Sequence, residues 1–373
     1  MSILKPTGRG GAEGLPPPAE AASDDTAIDA PSGLGHLRKR PGRLILLGLA
    51  LALVAIVFFS FPLGPFSVDT GDVLRILVSK ITGTASGASA VEETVVAQVR
   101  FPRIAGAVLV GAGLAMAGAG YQSMFRNPLV SPAILGVSAG AGFGAALGLL
   151  LRLPWAVVQL MAFAHGIMAA LLAITIARLL GRNSTVVLVL AGIVVSTLFQ
   201  AFISITQFVA NPEDTLPAIT FWLMGGLGRI QIGDLPLPSI IMVACMALLY
   251  LVRWPVTVLA AGDEEADTLG VNRALVWTVV IAASTLMTAT AVSLAGIVGW
   301  VGLVVPHLAR FVIGPSFDRL LPAAALIGAG FLVLVDDVAR TASAMELPLG
   351  VLTAVIGAPF FVVLLARARK QWL

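Results

Sequence analysis

Apolar residues run along this chain in long blocks, and charges interrupt them only at their edges. A helix that crosses the ~30 Å hydrocarbon core of a bilayer needs about 20 apolar residues at ~1.5 Å each. Uncharged windows of that order fall at 44–68, 104–125, 127–151, 153–177, 183–212, 235–252 and 347–366. Residues 274–309 are also uncharged and are too many for one span, so the stretch 293–296 between Ser293 and Gly296 is the natural hinge between two. A shorter clean window, 320–335, reaches full length only if Asp336, Asp337 and Arg340 lie at its end. The pattern predicts an all-α, polytopic membrane protein of about ten transmembrane helices, with residues 44–373 as the membrane domain. Residues 216–227 are apolar but short, between Asp214 and Arg229, and predict a partial or interfacial helix on the outer side.

Composition narrows the class. Of 373 residues, 58% are hydrophobic and 12% charged, about half the charged share of a soluble domain, and mean hydropathy is +0.97. A water-soluble enzyme is excluded. Thirty-nine glycines suit closely packed membrane helices. The single cysteine, Cys245, rules out an intramolecular disulfide. None of the four lysines (Lys5, Lys39, Lys80, Lys370) precedes Ser or Thr, so no phosphate-binding GxxxxGK(S/T) loop exists.

Residues 1–43 are rich in Pro, Gly, Ala and Asp and read as a disordered tail; they are too long and too acidic before the first apolar run for a cleavable signal. They end in Arg38, Lys39, Arg40 and Arg43, which hold the N-terminus in the cytoplasm by the positive-inside rule. Ten spans then return Arg367, Arg369 and Lys370 to the same side, and sixteen of the 23 Lys and Arg fall inside.

Several features stand out within the spans. Gly136, Gly140, Gly144 and Gly148 repeat every four residues, a pattern for tight helix contact or a smooth pore wall. Ser196, Gln200, Ser204 and Gln207 share one helical stripe, which fits either interhelical hydrogen bonding or the lining of a solute path. Asp336, Asp337 and Arg340 are spaced to pair within a helix, with a proton relay as the alternative. His36, His165 and His307 are scattered, with no metal-ligand cluster, so metal and cofactor sites are not expected. Residues 261–272 form a short acidic segment between Arg253 and Arg273 and predict an amphipathic helix that either caps two spans or docks a soluble partner.

Five motifs in order resemble one family. They are Arg100-Phe101-Pro102-Arg103; Arg126-Asn127-Pro128 with Leu135-Gly136-Val137-Ser138; Trp222-Leu223-Met224-Gly225-Gly226; Gly299-Trp300-Val301-Gly302 with Pro306-His307-Leu308-Ala309-Arg310; and Glu346-Leu347-Pro348-Leu349-Gly350 with Ile356-Gly357-Ala358-Pro359-Phe360. From about residue 95 onward the chain resembles the FecCD-type permeases of ATP-binding-cassette (ABC) importers for iron–siderophore complexes, haem and cobalamin. The resemblance implies the type II importer permease fold, a homodimer or related pair in a bacterial inner membrane, two cytoplasmic ATPase subunits that bind ATP and Mg, and a periplasmic substrate-binding protein. It implies no enzymatic activity and no nucleic-acid partner.

By the same resemblance, Gly262, Asp263, Glu264, Glu265, Ala266, Leu269 and Gly270 match the helix that couples to the ATPase. Arg100, Arg103 and Arg340 match outward-facing arginines that meet carboxylates of the binding protein in exposed pairs. Ser196, Gln200, Ser204 and Gln207 are candidates for the path. Three departures are visible: Asp267 stands where the coupling motif has a second Ala and Gly270 comes one residue early, Phe317-Asp318-Arg319 replaces an Asp-His-Arg, and Asp336 is an extra acid beside Asp337. Expected cargo is an iron–siderophore complex, with haem, cobalamin and molybdate open. An ion-coupled secondary transporter is the rival of another class; it calls for paired intramembrane acids or broken helices, and only Asp336 and Asp337 meet that description.

Overall fold

The structure is a computed structural model that describes residues 42–181, 185–343 and 345–372, with side chains as far as residue 363. The tail 1–41, with Arg38, Lys39, Arg40 and His36, lies outside the described residues, as does Arg182.

Helices form where the apolar windows run, because a backbone in hydrocarbon must satisfy its own hydrogen bonds. Their order is α1 (Gly42–Ser60), α2 (Thr70–Thr82), α3 (Ala90–Thr94), α4 (Phe101–Met124), α5 (Val137–Leu150), α6 (Trp155–Leu180), α7 (Thr185–Val209), α8 (Thr215–Leu223), α9 (Pro236–Leu251), α10 (Arg253–Ala261), α11 (Asp263–Thr268), α12 (Arg273–Ala295), α13 (Val301–Ile313), α14 (Phe317–Thr341) and α15 (Leu349–Trp372). No strand occurs among the described residues. A capping box between Ser89 and Glu92 starts α3, and a π-helical turn, Val95–Arg100, joins it to α4.

Each of the ten expected spans coincides with an apolar helix, but not every helix has spanning length. Six are long enough on their own. A seventh span exists only if α9 and α10, bent by 53°, are taken together. The remaining three are short: α5 has 14 residues and α13 has 13, about 20 Å each, and the apolar part of α15 is Leu349–Val363. The expectation of ten full spans is corrected to that extent. The windows 127–151 and 274–309 are apolar throughout, yet Asn127, Pro128 and Pro132 delay the start of α5. Gly296, at φ 69°, ends α12 where the hinge was expected. Trp300, at φ 67°, then opens α13. The 216–227 stretch forms the short α8, as expected.

Helix α4 is the hub, buried on nearly every side. Small residues make this possible. A Cβ on Gly118 would sit 1.8 Å from the Gly302 carbonyl oxygen of α13, and one on Gly111 2.2 Å from that of Gly328 in α14. Likewise Cβ atoms on Gly140 and Gly144 would lie 2.5 Å from the His165 carbonyl oxygen and 2.3 Å from that of Met161. The glycine stripe of α5 therefore makes backbone contact with α6. Gly136 is not part of the stripe; at φ 80° it is the left-handed residue from which α5 starts. Around this core, α1 and α7 show rows of exposed Leu, Ile, Val and Phe, Phe208 at 90%. Such a surface suits lipid.

Candidate functional site: two charged ends of one helix

The two ends of α4 lie about 34 Å apart, and each carries arginines that join other elements.

At the first end, α1, α4, α14 and residues 345–348 meet. The π-helical turn sets Arg100 against the end of α1, where it donates to the carbonyl oxygens of Phe61 and Phe66. One turn on, Arg103 uses two edges of its guanidinium. The inner edge donates from Nε to Asp336 Oδ2 (2.8 Å) and Oδ1 (3.0 Å), and from Nη2 to Oδ1 (2.8 Å). The outer edge donates from Nη2 and Nη1 to Glu346 Oε1 (2.7 Å) and Oε2 (3.1 Å). Arg340 donates to the carbonyl oxygens of Ser60 (2.6 Å) and Leu63 (2.9 Å), to the Ser60 hydroxyl (2.6 Å) and to Asp337. The Ser60 hydroxyl in turn donates to Asp337 Oδ1 at 2.6 Å. Arg103 and Arg340 thus pair with three carboxylates, and Arg100 beside them bonds to backbone carbonyls. Asp336 is 1% exposed there and the Glu346 side chain 40%.

This corrects the expected exposure of Arg100, Arg103 and Arg340, whose residues are 4%, 7% and 6% exposed. A guanidinium with internal carboxylates and carbonyls on its donors has little left for water. The intrahelical pairing of Arg340 is present: Asp337 is bonded directly, while Asp336 is 3.8 Å away. What the spacing did not reveal is that Asp336, the extra acid, belongs mainly to Arg103 on another helix.

At the other end, Arg126 follows α4 with positive φ and donates to the Leu259 carbonyl (2.6 and 3.1 Å) and to Asp263. Arg273, at the start of α12, pairs with Asp263 (3.3 Å) and Asp267 (3.1 Å). The two aspartates, one turn apart, are thereby turned toward the body, and Ala266 is fully buried between them. Helix α11 starts after extended Gly262 and stops at Gly270, φ 69°, where the Val271 amide returns to the Ala266 carbonyl. Glu264, Glu265, Thr268 and Leu269 line a shallow open depression on its outer side. The short amphipathic helix is as expected. Asp267, a departure from the motif, is explained by Arg273.

Between the ends, the polar stripe of α7 straddles two environments. Ser196 and Gln207 are half-buried against the body, whereas Gln200 and Ser204 are exposed. The hydroxyls of Ser196 and Ser204 donate to carbonyls one turn back, Gly192 at 2.7 Å and Gln200 at 3.1 Å. Gln200 thus faces away from its own subunit. His165 is a packing residue, with Nδ1 2.8 Å from the Met161 carbonyl and its ring edge-on to Phe143. His307 packs edge-on to Phe311.

The profile of the FecCD transport family matches residues 43–367. This chain belongs to the FecCD transport family. The permease is 37% identical over 329 residues to the molybdate import system permease protein MolB of Haemophilus influenzae, covering 87% of this chain and 96% of that one. It is 38% identical to a probable iron chelatin transport system permease protein of Helicobacter pylori, over 74% of this chain and 83% of that one. Among solved structures, it superposes with a TM-score of 0.76 on a metal-chelate type ABC transporter in an inward-facing conformation, at 35% identity, covering 87% of this chain and 99% of that one. The FecCD permease is therefore a multi-pass membrane subunit of the ABC importer class.

Proposed function

We propose that this FecCD permease is half of a homodimer in a bacterial inner membrane, with both termini in the cytoplasm. It passes an iron–siderophore-type complex inward from the periplasm by alternating access. Two cytoplasmic ATPase subunits bind and hydrolyse Mg-ATP, a periplasmic binding protein delivers the cargo, and this chain catalyses nothing and holds no metal or cofactor of its own.

One observation carries the reading: α4 joins two unlike surfaces. At one end Arg126 and Arg273 fix the inner face of α11 and leave Glu264, Glu265, Thr268 and Leu269 free, a small acidic and apolar knob that suits a cleft on a soluble ATPase. Gly262, Asp263, Ala266 and Gly270 shape the knob rather than touch its partner. At the opposite end the arginines are buried, and Arg103 alone has an edge closed only by a partly exposed carboxylate, Glu346; that edge suits an acidic docking face. The exposed Gln200 and Ser204 on α7, with half-buried Ser196 and Gln207 beside them, supply polar groups for a path between two copies.

Iron chelate is favoured as cargo by the metal-chelate transporter and the Helicobacter relative. Molybdate is a second reading, favoured by the match across nearly all of MolB. The test is ATP hydrolysis by the reconstituted complex with its binding protein loaded in turn with ferric siderophore, haem, cobalamin or molybdate. We expect stimulation by the ferric siderophore; stimulation by molybdate alone selects the second reading. Uptake by this chain in liposomes with no ATPase would mark an ion-coupled secondary transporter and overturn both.

A further inference from the structure

We propose that Glu346 is an internal stand-in for a docking partner's carboxylate: it occupies the outer edge of Arg103 in the undocked chain and yields that edge when the partner binds. This rests on the docking role proposed above for Arg103.

The three arginines of the cluster differ in what holds them. Arg100 donates to backbone carbonyls, and Arg340 to carbonyls, Ser60 and Asp337, whose side chain is 10% exposed. These are backbone carbonyls at the end of α1 and in the connection after it, or side chains buried in helices, and none is a mobile carboxylate. Arg103 alone holds two carboxylates on separate edges. Asp336, on the inner edge, is buried in α14 and cannot depart. Glu346, on the outer edge, is 40% exposed and belongs to no helix.

Glu346 also presents the geometry of an incoming ligand. Its two oxygens take Nη1 and Nη2 in parallel, the bidentate fork by which an arginine receives any carboxylate. An exchange keeps both hydrogen bonds and the charge balance of the cluster, so the swap itself has little net cost. Gly228 lies directly beneath: a Cβ there would be 2.7 Å from Glu346 Oε2, so no side chain from that position walls off the carboxylate. The exchange site adjoins the start of α15, whose Leu349 and Gly350 amides are bonded to the carbonyls of Gly225 and Met224.

The experiment measures binding of the cargo-loaded binding protein to the complete transporter, permease with ATPase, in lipid nanodiscs. Glu346→Gln removes the competing charge, and we expect binding about two- to fivefold tighter, the range for one partly exposed ion pair. Glu346→Asp retains the charge but is too short to hold both nitrogens, and we expect tightening in the same direction. A loss of negative charge near an acidic partner could itself tighten binding, so Glu346→Gln is repeated in the Arg103→Met/Asp336→Asn background, where nothing remains to exchange. There we expect weaker binding overall and no response to Glu346→Gln.

Equal tightening in both backgrounds overturns the exchange in favour of a bulk field. Unchanged or weaker binding by Glu346→Gln and Glu346→Asp overturns it in favour of a permanent clamp, while the docking role stands if the Arg103 variant is weakened. If the Arg103→Met/Asp336→Asn protein binds its partner as well as the parent, the docking role fails, and the exchange with it.

Discussion

Arg103→Met is the most informative perturbation of stability. Asp336 is 1% exposed and accepts three hydrogen bonds from that one guanidinium. Removing the cation leaves the carboxylate buried with no donor except Arg340, whose unbonded Nε is 3.8 Å away. An uncompensated buried charge of this kind costs about 3–5 kcal/mol. Partial rescue by Arg340 places the expectation near the lower end, about 3 kcal/mol. Glu346 also loses its partner, but water reaches its half-exposed carboxylate and little is added. Asp336→Asn in the Arg103→Met background removes the stranded charge, and replacing a buried pair by neutral groups is commonly near neutral. The double variant should therefore lie within about 1 kcal/mol of the parent, with a coupling energy of about 2 kcal/mol or more. Tryptophan fluorescence during SDS-driven unfolding in bicelles measures all four proteins of the cycle. Single and double variants equally destabilised, or a single variant within about 0.5 kcal/mol of the parent, would refute the assignment of Arg103 and Asp336 as one buried unit.

Gly118→Ala puts a methyl group into the Gly302 carbonyl, so α4 and α13 must part; a loss of about 1–3 kcal/mol is expected, read as earlier SDS unfolding, while Gly48→Ala in α1, with nothing within 4 Å, avoids that clash. Glu265→Arg reverses a charge on the free face of α11 and should abolish binding-protein-stimulated ATP hydrolysis while leaving the unfolding curve unchanged; normal transport by this variant counts against the coupling role. Arg273→Ala releases Asp263 and Asp267 and should lower stimulated hydrolysis by about two- to fivefold, the size of one exposed ion pair. Cysteines placed at residues 196, 200, 204 and 207 of a Cys245→Ala protein should label at different rates with a membrane-impermeant maleimide, fastest at 200 and 204; uniform protection in every transport state would exclude a path along α7.

The positions of the helices over the ten expected spans were legible in the chain because hydrocarbon selects on composition, whereas α2 and α10 were not anticipated; the break after Ala295 was legible because Gly296 sits amid uncharged residues. Helix length was not. The window 127–151 is uncharged on both sides of Gly136, and the backbone demands of Asn127, Pro128 and Pro132 make α5 start late. Charge was the least legible quantity. A local rule paired Arg340 with the acids one turn before it, and that rule holds for Asp337. It cannot see Arg103, more than two hundred positions away and brought alongside Asp336 only by the contact of α4 with α14. Glu346 was visible only as a letter in a motif for the same reason. The departures from the family pattern prove informative: Asp267 and Asp336 are each answered by an arginine, Arg273 and Arg103, in the folded chain. For Asp336, which is buried, the pairing is required, since a buried acid without a partner is costly; the Asp267 pair is exposed and serves to place α11. We therefore expect partner binding to be most sensitive at Glu346, the exposed member of an otherwise buried cluster at one end of α4, and at Glu265 on the outer side of α11 at the other.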